Sequence, residues 1–124
     1  MNALPNRSET IASLNDAFRA RFGTFPEPPE QDSPRGHIVF TSGIAGLGIT
    51  KVTEICHKVV RFKEFSADND PFGERDFGAI EDPDAGTVFW KIDCYDYSLE
   101  RGSEDPADPS ITHRVLTIML AREY

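Results

Sequence analysis

The stretch Asp68–Asp96, DNDPFGERDFGAIEDPDAGTVFWKIDCYD, decides how the chain reads. It holds the only tryptophan of the chain, together with Phe72, Phe77, Phe89, Tyr95 and a dense set of carboxylates. Residues Thr87 to Asp96 alternate Val88, Trp90, Ile92 and Cys94 with Phe89, Lys91, Asp93 and Tyr95. A period of two puts each set on its own face of a β-strand, so the first set is expected in the core and the second on a mixed, charged face. Residues Phe77 to Glu81 read as a second strand. Asp82-Pro83-Asp84-Ala85-Gly86 between them is built of turn residues, which makes the pair a hairpin. Ser66 to Gly73, just upstream, is a turn-rich segment.

Working outward, Thr112–Tyr124 contains Val115, Leu116, Thr117, Ile118, Met119 and Leu120 without a helical stripe, and it reads as a central strand beside the Trp90 strand. His37–Thr41 reads as another short strand. Residues 51–63 carry Val52, Ile55, Cys56, Val59 and Val60 at i, i+3, i+4, i+7 and i+8, one apolar face of a helix capped by Thr50. Lys51, Glu54, Lys58 and Arg61 are expected to face water, and His57 to lie at the margin. A further helix over 8–22 is marked by Ile11, Leu14, Phe18 and Phe22, with Ser8 as N-cap and Gly23 as its end. Residues 24–36 contain four prolines and little to bury, so an extended linker follows. A lone amphipathic helix is marginal in water, which favours a first helix packed back on the sheet over a detached partner-binding arm. The expected class is therefore α+β: an antiparallel sheet of about four strands against two amphipathic helices. Residues 1–36 form the helical arm and linker, and residues 37–124 the compact domain.

At 124 residues the chain suits one domain with a core of its own. It has no apolar run long enough for a membrane span, and MNALPNRSET shows no secretory signal. Cys56 and Cys94 give no disulfide framework and are expected as free thiols in a reducing cytoplasm. Net charge is −8, distributed unevenly. Residues 64–108 hold 14 acidic and 3 basic side chains, a net −11, against +2 for residues 1–63 and +1 for residues 109–124. Such a field repels nucleic acid and attracts cations or a basic protein surface.

The motifs exclude more than they assign. Gly43 and Gly48 have P-loop spacing, but Ile49-Thr50 stands where Lys-Ser/Thr would meet the phosphates. A glycine turn into a helix is the better reading. Asp68 and Asp70 open like a calcium loop, yet Phe72 and Ala79 occupy the fifth and twelfth ligand positions. Cys94 with His57 or His113 would need a spatial pairing that no spacing implies.

At TSGI (Thr41–Ile44), NDPFGERDFG (Asn69–Gly78), FWKIDCYD (Phe89–Asp96), GSEDPADP (Gly102–Pro109) and THRVLTIMLAREY (Thr112–Tyr124) the chain resembles a proteobacterial family. That family is grouped as domain of unknown function 3768. The resemblance covers roughly residues 37–124. It implies a setting among accessory proteins of plasmids, phages and genomic islands, and it implies no reaction. Arg75 stands where the family usually has His, and Cys94 where it usually has Tyr. Arginine neither binds a metal nor sheds its proton at physiological pH, which disfavours any chemistry built on that histidine.

Two functions are expected from these features. The first is a non-enzymatic acidic binding protein with no cofactor. It would present Asp68, Asp70, Phe72, Glu74, Asp76, Phe89, Lys91, Asp93, Tyr95 and Asp96 to the basic surface of a host nucleic-acid-binding effector, as an anti-CRISPR or anti-restriction protein. No direct contact with nucleic acid or membrane is expected, and homodimerisation through an edge strand or the first helix is possible. The alternative is a metal-dependent hydrolase or nuclease using Asp68, Asp70, Glu74, Asp76, Asp93 and Asp96 as oxygen ligands, with Lys91 stabilising the transition state.

Overall fold

A computed structural model of the protein describes residues 6–21 and 33–124. In chain order these form α1 (Arg7–Ala20), β1 (Arg35–Phe40), the one-turn helix α2 (Ser42–Ala45), α3 (Ile49–Val60), β2 (Phe77–Asp82), β3 (Gly86–Tyr95) and β4 (His113–Leu120). Short 3₁₀ turns at Pro109–Ile111 and Ala121–Glu123 flank β4. Phe22, Gly23 and the prolines of residues 24–32 lie outside the described residues. No helix among the described residues is long and apolar enough to cross a membrane.

The α+β class holds, with one correction. The four strands lie in the order β1-β4-β3-β2. The pairs β2–β3 and β3–β4 are antiparallel, but β1 runs parallel to β4. The connectivity explains this. Helices α2 and α3 carry the chain from the end of β1 across the sheet to β2 at the far edge, and two reversals then return it beside β1 in the same direction. The hairpin pairs Asp82 with Gly86, and Gly86 takes φ +77°, which its turn requires.

The period of two in β3 is realised. Val88, Trp90 and Ile92 pack with Ile80, Leu116, Ile118 and Leu120 from the sheet and with Phe18, Ile44, Ile55 and Val59 from the helices. Each such side chain contributes roughly 1.5–3 kcal/mol through its removal from water. Helix α1 thus shares in the core through Phe18.

Several caps differ from expectation. Asn6, not Ser8, caps α1: its carboxamide accepts the Glu9 amide at 2.8 Å while the Glu9 carboxylate accepts the Asn6 amide at 3.2 Å. Gly48 at φ +90°, not Thr50, precedes α3, so this helix begins earlier than its polar residues suggested. Lys51 does not face water freely. Its ammonium lies 2.7 Å from Asp84, 3.1 Å from Glu54 and 3.3 Å from the buried Asp82. Burial alone would push the Asp82 carboxyl up, but the amides of Ala85 and Asp84 and the Lys51 ammonium outweigh it and hold it at about 2. This cluster fastens α3 to the hairpin turn.

The other end of α3 is fastened by α1. Arg19, buried, donates to the carbonyls of Val59, Val60 and Phe62 at 2.8, 3.3 and 3.0 Å. A cation at those carbonyls complements the negative end of the helix. Its guanidinium also sits 4.9 Å from the Trp90 ring centroid.

Candidate functional site

Because the helices pack on the even-numbered residues of β3, the odd-numbered residues lie on the opposite face of the sheet. Register places Phe77, Lys91 and Thr117 in one row across that face, and Ala79, Phe89 and Met119 in the next. Three rings cluster there: Phe77 and Phe89 at 5.1 Å, Phe77 and Tyr124 at 6.1 Å, and Phe89 and Tyr124 at 5.6 Å. Farther along, Lys91 pairs with Asp93 at 3.0 Å, both only partly exposed. Hydrogen bonding to Asp93 pushes the Lys91 ammonium up and keeps it charged. Tyr95 lies opposite His113, whose imidazole Nε2 is 2.7 Å from His37 Nδ1 on β1.

Acids gather at the end of β3 where the sheet meets α1. Beyond Phe77 the chain leaves β2, but the Asp76 carbonyl still accepts the Ile92 amide at 2.8 Å. This holds residues 74–76 alongside β3. Glu74, Asp76 and Asp93 therefore share a small cavity of about 220 Å³ with Asn15, Cys94 and Pro106. Burial, then the charges of Asp76 and Asp70, push the Glu74 carboxyl up against the pull of Arg7. Burial, then the charges of Asp70 and Asp93, push Asp76 up as well, against a backbone hydrogen bond. Like charges held close and partly out of water raise one another in this way. The result is negative charge that Lys91 neutralises only in part.

Other expected site residues are spent locally. One Asp70 oxygen accepts the Arg75 amide at 3.0 Å, closing the turn that holds Arg75 at φ +54°. Arg75 itself pairs with Asp16 of α1 at 2.7 Å. One Asp96 oxygen accepts the Ser98 hydroxyl at 2.7 Å and the Glu100 amide at 3.3 Å, and these bonds hold its carboxyl below the usual range. Asp68 is exposed, and Phe72 stands 80% exposed on the same turn-rich segment. The structure thus gathers Glu74, Asp76 and Asp93 at one cavity, sets Phe89, Lys91 and Tyr95 on the same face of β3 as Asp93, and leaves Asp68, Phe72 and Asp96 in their own turns.

Sequence reasoning passed over the residues that hold this region. Arg114 is fully buried in β4; its Nε donates to Asn15 Oδ1 at 2.8 Å and its Nη2 to the Pro106 carbonyl at 2.8 Å. Asn15 in turn donates to the Glu74 carbonyl at 2.9 Å. The Asp105–Pro109 segment wraps these groups: Thr112 Oγ1 lies 3.0 Å from the Asp105 carbonyl and 2.8 Å from that of Asp108. Glu123 plays a similar part elsewhere, accepting from Thr41 Oγ1 at 2.6 Å, Leu120 N at 2.9 Å and Gly43 N at 3.0 Å. A Cβ on Gly43 would come within 2.6 Å of that carboxylate. An arginine inside an apolar strand and an asparagine on a helix stripe were the signals available for Arg114 and Asn15.

The thiols are poor nucleophiles. Burial pushes Cys56 up to about 11 and raises Cys94 also. Among the described residues, no group of three or more His, Cys, Asp or Glu side chains is arranged to hold a metal ion.

The family described as Protein of unknown function (DUF3768) matches residues 40–123. No curated protein and no solved structure matches the chain.

Proposed function

We propose that this chain, which belongs to the DUF3768 family, is a non-enzymatic binding protein whose uncovered sheet face and acidic border engage a basic protein surface. The single observation that carries the reading is the convergence of Glu74, Asp76 and Asp93 on one cavity at the end of β3. Rings such as Phe77, Phe89 and Tyr124 on the sheet anchor an interface by desolvation, and Glu74 and Asp76, raised by burial first and by neighbouring acids second, gain most when arginine or lysine arrives. The finer proposal is that the partner is a nucleic-acid-binding effector of host defence, whose basic groove the carboxylates occupy in place of phosphates. The −11 charge of residues 64–108 and the mobile-element setting that the family resemblance implies support it.

Binding of the protein to Cascade-type, Cas9-type and restriction effectors tests this, with duplex DNA as competitor. Saturable binding at micromolar concentration is expected, displaced by DNA and weakened at least about tenfold by Glu74→Gln/Asp76→Asn/Asp93→Asn. No binding to any effector, with phage restriction unaffected, defeats the proposal. Heat released on titration with magnesium, manganese or calcium, lost in the same variant, would favour the hydrolase reading instead.

A further inference from the structure

We propose a second docking surface, of opposite charge, at the outer edge of β2: it takes an acidic, extended segment of a partner protein as a fifth strand. The argument begins with register. Asp76 accepts from Ile92, so the hydrogen-bonded pairs of β2 with β3 fall at Gly78, Ile80 and Asp82. The backbone N–H and C=O groups of Phe77, Ala79 and Glu81 therefore point away from β3. Among the described residues no strand pairs with that edge. Ala79 and Glu81 are exposed, and β2 contains neither a proline nor a bulge to blunt it.

The groove beside the edge gives the occupant its chemistry. It measures about 910 Å³ and runs between Ala79–Glu81 and the end of α3, where His57, Lys58, Arg61 and Lys63 line it with one acid, Glu64. Lys58 lies 3.5 Å from the buried Asp82. Arg61 and Lys63 make no ion pair among the described residues. A protein of net −8 thus keeps Arg61 and Lys63, against the single helix-side acid Glu64, beside a row of backbone groups that no described strand pairs. A second copy pairing β2 with β2 about a two-fold axis would bring the two basic patches to the same side of the junction, so an acidic partner is favoured over self-pairing.

The geometry also specifies the sequence pattern. Side chains of an added strand alternate between the two faces. Those on the helix side meet Arg61 and Lys63 and are carboxylates, which arginine can take bidentately. Those on the other side neighbour Phe77 and Glu81 and are neutral or apolar. The expected segment alternates acids with β-branched residues, the mode of strand addition to an exposed edge.

A fluorescein-labelled peptide Glu-Thr-Glu-Val-Glu-Thr-Glu, followed by fluorescence anisotropy against the full chain, tests the proposal. Saturable binding is expected. It is lost when the peptide amides that face the edge are N-methylated, and it weakens at least about tenfold in Arg61→Glu/Lys63→Glu. The methylated peptide leaves the protein unaltered, so the result does not depend on how the variant folds. Equal binding by the methylated peptide, by the variant, or by an alternating Lys-Thr peptide would overturn it, as would no saturable binding at millimolar peptide. The variant leaves Glu74, Asp76 and Asp93 in place, so failure here is distinguishable from failure of the effector-binding proposal.

Discussion

Replacing Asn15 by alanine probes a buried charge, that of Arg114, which has few partners. Arg114 is fully buried, its Nη1 has no hydrogen-bond partner, and no carboxylate pairs with it among the described residues. Asn15→Ala removes the 2.8 Å bond to Arg114 Nε and the 2.9 Å bond to the Glu74 carbonyl. A buried polar group left unsatisfied costs roughly 1–3 kcal/mol, and more when it is charged. Arg114 keeps its bond to the Pro106 carbonyl, so the loss is expected at about 2–3 kcal/mol, and the part-buried Glu74 carbonyl adds little because water can reach it. Arg114→Met is expected to cost less, about 1–2 kcal/mol, because it removes the charge with its need for partners and keeps most of the volume. The two changes should couple: the double variant should be more stable than Asn15→Ala alone by at least about 1 kcal/mol. Urea unfolding reads all of this through Trp90, the only tryptophan and a fully buried one. Against a total stability of roughly 5–15 kcal/mol, the shift in midpoint is large. If Asn15→Ala costs less than about 1 kcal/mol, or if Arg114→Met proves the more damaging change, the account of Arg114 as a charge dependent on Asn15 is refuted.

Two further outcomes follow from the same geometry. Glu74 and Asp76 have carboxyls raised in the folded protein, so their ionised forms oppose folding at neutral pH. Glu74→Gln/Asp76→Asn should be more stable than the parent at pH 7, with the gain vanishing as the pH falls through the ordinary carboxylate range near about 4. Asp82, held at about 2, has the opposite sign: it stabilises above that range, and the contribution is lost as the pH falls from about 4 toward 2, so Asp82→Asn should flatten the acid limb. Urea midpoints measured from pH 7 to pH 2 check both signs, and a neutral-pH loss in the first variant would remove the argument that burial and neighbouring acids strain these two carboxylates. Gly78→Ala places a methyl group against Trp90 Nε1 and 2.9 Å from Phe62. It should cost about 1–3 kcal/mol through overpacking, with altered Trp90 fluorescence, and an unchanged midpoint would show that the ring yields freely.

Local pattern alone was enough for what depends on neighbours in the chain. The alternation of Val88, Trp90, Ile92 and Cys94, the turn residues from Asp82 to Gly86, and the apolar face of Ile55 and Val59 each state a period, and a period fixes which side is buried. The charge of residues 64–108 was equally plain. Tertiary structure decided the rest. It set β1 parallel to β4 rather than antiparallel, a matter of where α3 delivers the chain. It brought Glu74 and Asp76 beside Asp93 while turning the Asp70 and Asp96 carboxylates back on nearby amides, although all five looked alike in sequence. It joined Asn15 to Arg114, 99 residues apart. Periodicity reports burial because it is local. Hydrogen bonding between distant residues depends on which strand lies beside which, and no short stretch of sequence carries that information.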